Sequence, residues 1–212
     1  MLKVEKFTFN PFLENTYLLY EDRGDCAIID PGCSNEKERK VLEDFIRARG
    51  LNPTVFLNTH CHIDHVFGNA WVARRYKLGL QMHEEDLPVL HSTVQYGLGF
   101  GLAVEKSPEP QNFLNEGDIV KVGASKLKVI FTPGHSPGSV CFINEDEKYV
   151  IAGDVLFQLS IGRTDLPGGD HDTLIKSIKT KMFALPDDFE VHPGHGPSTN
   201  IGFEKKNNPF LS

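Results

Sequence analysis

The sequence predicts an α/β protein in which two β-sheets pack face to face and helices cover their outer surfaces. Two observations support this fold class. Apolar strand patterns and amphipathic helix patterns follow one another along the chain, and this succession occurs twice, before and after about residue 118. Each sheet and helix has an apolar side that needs a partner, and two sheets between helices bury all of these sides.

The first half opens with three strand patterns and a helix pattern. The strands are VEKFTF, NTYLLYE and DCAIIDPG, separated by NPFLE and EDRGD, which carry turn-forming Pro, Gly, Asn and Asp. NEKERKVLEDFIRARG then places its apolar residues on one helical face, and Gly50 follows as a C-cap. That apolar face consists of Val41, Leu42, Phe45 and Ile46.

The first half continues with PTVFLNTH, an apolar run that predicts a buried strand ending at His60. A helix pattern, VFGNAWVARRY, comes next. The polar residues between them therefore lie in a loop at the C-terminal end of a strand, where open α/β sheets commonly place their sites.

The second half repeats this organisation. DIVKVGASKLKVIFTPG and SVCFINEDEKYVIAGDVLF predict strands, HDTLIKSIKTKMFAL predicts a helix, and FEVHPGHG predicts a last strand. In the helix, Leu174, Ile178 and Met182 recur every four residues and form a stripe that faces the core. We interpret residues 1–212 as a single domain.

One segment, at about residues 91–117, has weak periodicity and several glycines and prolines. Long irregular segments inside a compact domain are often functional, so we interpret this insert as a lid or pocket wall. A merely variable loop is the alternative.

Composition limits the classes of function. The net charge is −7, and Lys and Arg form no run longer than a pair, so a nucleic-acid or anionic-membrane surface is not expected. Four cysteines without C-x-x-C spacing predict free thiols in a reducing compartment, with the cytoplasm as the expected location. The chain shows no signal-peptide pattern and no apolar run that would span a membrane.

The segment NTHCHIDHVFGN holds a candidate metal-binding motif. His60 and His62 stand two residues apart, so in an extended segment both rings point the same way and can bind one ion. Asp64 and His65 turn to another side, which suits a second ion about 3.5–4 Å away. H-x-H-x-D-H rarely arises by chance, so the motif is a strong indication of a metal site.

Three residues of the second half can complete this site. His135 in TPGHSPGS, Asp154 in IAGDVLF and His195 in VHPGHGPS each follow an apolar run and lie near glycines that allow tight turns. Asp154 is the most informative, because a carboxylate after the buried run YVIAG is costly without a compensating cation. A helix or turn cap is the alternative for Asp154.

The remaining histidines are not predicted to be ligands. They are His83, a strand-end or supporting residue, His91, His171, which fits helix capping after Asp170, and His192, which lies beside the sufficient ligand His195. Cys61 stands between two candidate ligands in an extended segment. Its side chain therefore points away from them, and we interpret it as core packing.

Together, THCHIDH, His135 in PGHSPGS, Asp154 in AGDVLF and His195 in PGHG resemble the metallo-β-lactamase superfamily, and within it most closely the glyoxalase II (hydroxyacylglutathione hydrolase) and persulfide dioxygenase branch. The resemblance spans nearly the whole chain and implies a four-layer αββα sandwich. It also implies that one ion is held by His60, His62 and His135, that the other is held by Asp64, His65 and His195, and that Asp154 bridges them. The expected cofactors are two divalent ions, Zn²⁺ first, with iron or manganese as alternatives.

Such a site predicts a metal-dependent hydrolase. Two cations that share a water lower its pKa towards neutrality and stabilise a developing oxyanion. The expected substrate is a small-molecule thioester or ester, attacked by a metal-bridging hydroxide that Asp64 helps to orient. No Ser or Cys nucleophile is required.

Substrate choice is expected to depend on SIGRTDLPGGD. Glyoxalase II has a Lys nine residues after the bridging Asp that helps to bind glutathione, and a Tyr two residues further on; Arg163 and Asp165 occupy these places here. Arg163 can bind a carboxylate through two donors, and a structural Arg163–Asp165 ion pair is the alternative. Because 17 residues follow His195, we expect a compact form without the C-terminal helical domain of glyoxalase II.

Two other function classes stay open. Persulfide dioxygenases of the same superfamily also carry a GRTD stretch and use a single iron at the positions of His60, His135 and Asp154. A metal-binding protein without catalytic turnover is the other alternative, and a lost ligand would indicate it. All seven ligand positions are filled, so the hydrolase is the favoured prediction.

Overall fold

Two six-stranded sheets form the centre of the fold. The computed structural model describes residues 1–22, 24–99 and 101–211; Arg23 of the predicted turn EDRGD, Phe100 of the predicted insert and Ser212 lie outside the described residues. In their order across the first sheet, the strands are β1 (Leu2–Phe9), β2 (Glu14–Glu21), β3 (Asp25–Ile29), β4 (Asn52–Leu57), β5 (Leu80–Met82) and β6 (Asn112–Phe113).

The second sheet is built mainly by the second half of the chain. In their order across it, the strands are β14 (Thr199–Asn200), β13 (Glu190–Pro193), β10 (Tyr149–Gly153), β9 (Val140–Asn144), β8 (Ser125–Phe131) and β7 (Ile119–Val122). β10 and β13 are parallel, so both end at the same edge of the sheet. A small separate hairpin, β11 (Leu156–Phe157) and β12 (Ser160–Ile161), follows β10.

In the described part of the chain, six α-helices accompany the sheets. They are α1 (Glu36–Ala48), α2 (Ile63–Val66), α3 (Asn69–Tyr76), α4 (Leu87–Gly99), α5 (His171–Ser177) and α6 (Ile201–Asn207). α1 begins where the Asn35 side chain accepts two backbone N–H groups, as an N-cap does. Its C-cap is Arg49, and Gly50, the predicted C-cap, follows one residue later with a φ of +62°. Val41, predicted on the buried face of α1, is 51% exposed.

Alternation along the strands distributes the apolar residues between two faces. One face of each sheet packs against the other sheet, and the opposite faces pack against helices, because successive side chains of a strand point to opposite sides. Leu19, Ile29 and Leu57 lie in the core between the sheets. Leu18, Ile28 and Phe56 lie in the core beneath the helices of the first sheet. A third core joins the second sheet to α5 and α6. The predicted four-layer αββα sandwich is confirmed.

The insert predicted at about residues 91–117 is partly helical. α4 (Leu87–Gly99) covers its beginning, so the prediction of irregular structure was wrong for residues 91–99. The buried positions of this helix are Leu90, Thr93 and Gly97. Their spacing is helical, but two of the three are small or polar, so a hydrophobicity pattern does not reveal the helix. Its role as a lid stays a prediction.

Two further sequence predictions concern cysteines and membranes. All four cysteines are free and buried, as predicted. Among the described residues, no helix combines the length and the hydropathy of a membrane span.

Candidate metal centre

The seven predicted ligands lie together at one edge of the sandwich, beyond the ends of strands from both sheets. The segment after β4 supplies four of them, and the segments after β8, β10 and β13 supply one each. They are His60, His62, Asp64 and His65 from the first segment, and His135, Asp154 and His195 from the other three. Main-chain hydrogen bonds join these segments, such as Val140 N–H to the Thr59 carbonyl at 2.8 Å.

His60, His62 and His135 form the first cluster. His135 Nε2 lies 3.2 Å from His60 Nε2 and 2.8 Å from His62 Nδ1. Asp154 Oδ2 lies 3.5 Å from the same His135 nitrogen. Ligand atoms at 2.0–2.1 Å around a tetrahedral ion are about 3.3 Å apart. The three rings and the carboxylate therefore have the spacing of a single-ion site.

Asp64, His65 and His195 form the second cluster. Asp64 Oδ2 lies 3.1 Å from His195 Nε2 and 3.8 Å from His65 Nε2. Asp154 faces this cluster as well, with Oδ1 3.5 Å from His65 Nε2 and Oδ2 3.5 Å from His195 Nε2. Asp154 is thus the one residue of the seven predicted ligands whose carboxylate approaches both clusters.

Two buried atoms of the centre lack hydrogen bonds. His65 Nε2 and Asp154 Oδ1 have no hydrogen-bond partner among the described residues. Leaving buried polar atoms without partners is costly, and a cation between them removes that cost. The close packing is possible because residue 194 is glycine: a Cβ there would lie 2.1 Å from Asp154 Oδ1. The residues present therefore fit a metal ion.

The protonation states also suit metal binding. Burial lowers the pKa of His60 well below its ordinary value and the pKa of His62 to about 3, so both rings are neutral. For Asp154, burial acts to raise the pKa, but nearby His65 outweighs it and holds the pKa below its ordinary value. Neutral imidazoles and ionised carboxylates are the forms that bind metals.

His65 shows the opposite shift. Burial acts to lower its pKa, but the carboxylates of Asp64 and Asp154 outweigh burial and raise the pKa well above its ordinary value. These carboxylates favour a positive charge beside the ring. A metal ion at His65 Nε2 would meet the same attraction.

Four of the five rings are also hydrogen-bonded on the side away from the centre. The partners are Thr59 Oγ1 for His60 (3.1 Å), Asp30 Oδ2 for His65 (3.1 Å), the Arg163 carbonyl for His135 (2.8 Å) and the Phe12 carbonyl for His195 (3.1 Å). A ring that donates from Nδ1 keeps a free lone pair on Nε2, and this fixes both the tautomer and the orientation of a ligand.

Asp30 belongs to this supporting set, and the sequence analysis missed it. Its Oδ1 accepts a hydrogen bond from the Thr59 backbone N–H at 2.7 Å, and its Oδ2 accepts from the Thr59 hydroxyl and faces His65. Asp30 follows the apolar run CAII and precedes Pro-Gly. The same signal singled out Asp154, so it was available for Asp30 too.

Asp86 joins the two loops that carry the first cluster, and no sequence pattern indicated it. Its Oδ2 accepts from the Cys61 backbone N–H at 2.6 Å. Its Oδ1 accepts from the Ser136 hydroxyl at 2.5 Å and from the Gly138 N–H at 2.6 Å. Burial raises the pKa of Asp86, although these donors act against the shift. One buried carboxyl group therefore sets the distance between the loops of His60 and His135.

We expect Asp86→Asn to lower the free energy of unfolding by about 2 kcal/mol, because the new NH₂ group would face a buried donor. Metal affinity should fall roughly 10- to 100-fold, as for other residues that orient ligands. Urea unfolding and competitive metal titration measure the two effects. Asp44→Asn, in an exposed ion pair of α1, is the matched control. An Asp86 variant indistinguishable from this control would contradict the proposed link between the loops.

The four histidines that were not predicted as ligands lie outside both clusters. His192 is buried between the rings of Tyr17 and Tyr149, His83 stacks on Phe131, His91 pairs with Glu109, and His171 begins α5 beside the capping Asp170. Cys61 is buried, with its sulfur 3.5 Å from that of Met82, in agreement with a packing role.

A cavity of about 790 Å³ opens onto both clusters, and α4 forms part of its wall. Arg163 also lines it. The guanidinium donates through Nε and an NH₂ group to the two carboxylate oxygens of Asp165, each at 2.7 Å. Both side chains are more than 60% exposed. The structure thus shows the ion pair, while the role of Arg163 in substrate binding stays a prediction.

A sequence model of one family matches the chain across this centre. The model, described as "Metallo-beta-lactamase superfamily", matches residues 9–197. The chain belongs to this superfamily. The αββα layers and the clustered His and Asp side chains are what the superfamily resemblance implies.

Superfamily relatives match over the full length of the chain. The "Probable metallo-hydrolase YqgX" of Bacillus subtilis is 38% identical over 212 residues, which are 100% of this chain and 98% of that protein. The "Hydroxyacylglutathione hydrolase GloC" of Haemophilus influenzae is 38% identical over 215 residues, covering 100% of this chain and 99% of that protein. The chain is therefore similar to metallo-hydrolases of the superfamily from end to end.

Solved structures are also similar to the chain over nearly its whole length. "BLEG-1 B3 metallo-beta-lactamase" has a TM-score of 0.90 and 34% identity, covering 99% of this chain and 100% of that chain. "TTHA1623 in a di-iron-bound form" has a TM-score of 0.87 and 39% identity, covering 98% and 100%. One similar protein of the same fold thus holds two metal ions.

Proposed function

We propose that the chain is a binuclear metal-dependent hydrolase that cleaves a small-molecule thioester or ester. The observation that carries the proposal is the pair of three-residue clusters with Asp154 facing both. A full-length relative described as a hydroxyacylglutathione hydrolase supports the thioester as substrate class.

The seven residues would divide into two ligand sets. His60, His62 and His135 would hold one ion, Asp64, His65 and His195 would hold the other, and Asp154 would be common to both. When bound, two divalent ions lower the pKa of a shared water and stabilise an oxyanion. Zn²⁺ is our first choice for this imidazole-rich donor set, with iron or manganese as alternatives.

The chain's own groups would position the reactants. Asp64 lines the cavity, so its carboxylate can accept a hydrogen bond from the attacking water and orient it. In the overall reaction the water oxygen bonds to the acyl carbon, the C–S or C–O bond breaks, and the departing thiolate or alkoxide takes a proton. His135 and His195 are held in place by backbone carbonyls, so the site is organised before substrate arrives.

Metal analysis combined with a thioester assay tests the proposal. We expect about two ions per chain, thiol release from S-lactoyl thioesters, loss of this activity after chelation, and recovery with Zn²⁺. Hydrolysis that survives complete metal removal would contradict it. So would a single iron per chain together with oxygen uptake on a persulfide.

A mononuclear iron persulfide dioxygenase is the second candidate. His60, His135 and Asp154 form a two-histidine, one-carboxylate set, the usual arrangement of non-haem iron oxygenases. This reading leaves the buried Nε2 of His65 without a partner. The hydrolase accounts for that atom, so we prefer it. A protein without turnover is disfavoured because all seven side chains are present and clustered.

We further propose that Arg163 binds a carboxylate only when substrate displaces Asp165. An exposed ion pair of this kind is weak, so Asp165→Asn should lower KM for carboxylate-bearing thioesters roughly threefold. Arg163→Ala should raise that KM. The control is a neutral thioester, whose KM should not respond to either variant. Unchanged KM values for charged substrates in both variants would exclude the contact.

We also propose a cytoplasmic protein that acts on small molecules rather than on nucleic acid or membranes. Four buried free thiols fit a reducing compartment, and the net charge of −7 disfavours polyanionic partners. Cell fractionation tests the location, and recovery in an oxidising compartment would contradict it.

A further inference from the structure

The wall of the cavity is apolar beyond the two clusters. It consists of side chains from α4, from the β11–β12 hairpin and from the loop that follows the hairpin. Examples are Val89, Tyr96, Phe157, Ile161 and Leu166. A wall of this kind releases water when it meets an apolar group, and this favours binding of apolar groups over polar ones.

Charge in this wall is sparse and does not favour anions. Among the described residues that line the cavity, Arg163 is the only basic side chain apart from histidines, and Asp165 engages it. Glu85 adds a negative charge to the rim. A substrate carboxylate placed against the wall would lose water, and it could contact Arg163 only by displacing the carboxylate of Asp165, which offsets the gain. The wall therefore selects against a charged arm such as that of glutathione, which carries two carboxylates.

The volume of the cavity also favours a large apolar arm. About 790 Å³ is the size of a cavity for a drug-sized ligand. A two- or three-carbon acyl group would leave most of the apolar wall uncovered.

We propose that the cavity takes an uncharged, apolar arm of the substrate, so that the preferred compounds are thioesters or esters of medium-chain aliphatic or aromatic acids with a neutral thiol or alcohol. This inference rests on the proposed hydrolase for the bond that is cleaved. The recognition of the arm depends on the wall alone.

Binding of thioether analogues tests the inference without turnover. The probes are S-octyl-N-acetylcysteamine, S-methyl-N-acetylcysteamine and S-octylglutathione, titrated calorimetrically into the metal-loaded protein. We expect the neutral octyl compound to bind at least about tenfold more tightly than either of the others. Equal affinity of the octyl and methyl compounds, or tighter binding of S-octylglutathione, would overturn it.

Leu166→Asn tests the wall at one position. Leu166 lines the cavity and belongs to none of the three cores, so the substitution should leave folding intact. We expect it to weaken binding of the neutral octyl compound about tenfold and to leave the methyl compound unchanged. Leu98→Asn is the matched control, because Leu98 is 65% exposed and outside the cavity. Equal effects of the two variants would count against the wall as the binding surface.

Hydrolysis of the corresponding thioesters separates this inference from the proposed function. The substrates are S-octanoyl and S-lactoyl esters of N-acetylcysteamine and of glutathione. Suppose that no thioester is cleaved, while the octyl probe binds and Leu166→Asn weakens its binding. The proposed hydrolase activity is then contradicted, and the proposed recognition of an apolar arm is supported. Suppose instead that S-lactoylglutathione is the best substrate and that the octyl and methyl probes bind with equal affinity. The proposed hydrolase activity is then supported, and the proposed recognition of an apolar arm is contradicted.

Discussion

Asp154→Asn is expected to remove at least one metal ion per chain and to lower kcat/KM at least about a thousandfold. The carboxylate oxygens of Asp154 lie 3.5 Å from ring nitrogens of His65, His135 and His195, so they serve both clusters. An amide carries no charge and offers one oxygen instead of two. The thousandfold fall in kcat/KM corresponds to a loss of several kcal/mol of metal-dependent transition-state stabilisation, because each tenfold change in rate equals about 1.4 kcal/mol.

The measurements are metal content by mass spectrometry and steady-state hydrolysis of the best thioester. Asp146→Asn is the matched control, since Asp146 is exposed in the turn between β9 and β10 at the far end from the centre. Circular dichroism should show that both variants keep the fold. An Asp154→Asn protein that retains two ions and activity within tenfold of the parent would exclude the bridging role.

The clustering of the seven predicted ligands could be foreseen because each stands beside a local signal. Three lie in strand-end loops next to glycines, and four share one short motif, so sequence spacing alone could indicate them. The fold class was predictable for a related reason, because strand patterns followed by helix patterns occur twice along the chain. His195 and Asp154 also show what the sequence leaves out, since their separation of 3.5 Å depends on how two parallel strands align.

The supporting residues were harder to predict because their partners are distant in sequence. Asp86 accepts hydrogen bonds from residues 25 and 52 positions away, and no periodic pattern encodes such contacts. α4 was missed for a different reason, since Thr93 and Gly97 occupy two of its buried positions. For Arg163, the sequence left a substrate contact and an ion pair open. The structure shows the ion pair, and only a substrate can test the contact.

The cysteines illustrate a prediction that needed little information. The absence of C-x-x-C spacing among the four cysteines predicted free thiols, and in the structure all four are free and buried. Burial raises the pKa of Cys141 to about 12, so this thiol is a poor nucleophile at neutral pH. This agrees with chemistry that depends on metal ligands rather than on a cysteine.

His195→Ala is expected to leave about one ion per chain and to lower hydrolysis at least about a thousandfold. His195 Nε2 lies 3.1 Å from Asp64 Oδ2 in the second cluster, and the His195 side chain is 27% exposed. The substitution therefore removes a ligand at the cavity surface without emptying a core position. The first cluster keeps His60, His62 and His135.

The same variant separates the two candidate functions, because a mononuclear iron dioxygenase would use only His60, His135 and Asp154. In that case His195→Ala would keep its full iron content, and oxygen uptake on a persulfide would persist. His91→Ala is the matched control, since His91 is exposed and pairs with Glu109. A binuclear hydrolase requires the opposite result: the ion count falls from two to one in His195→Ala and stays at two in His91→Ala. Measuring both metals and both activities on the same preparations makes the two outcomes mutually exclusive.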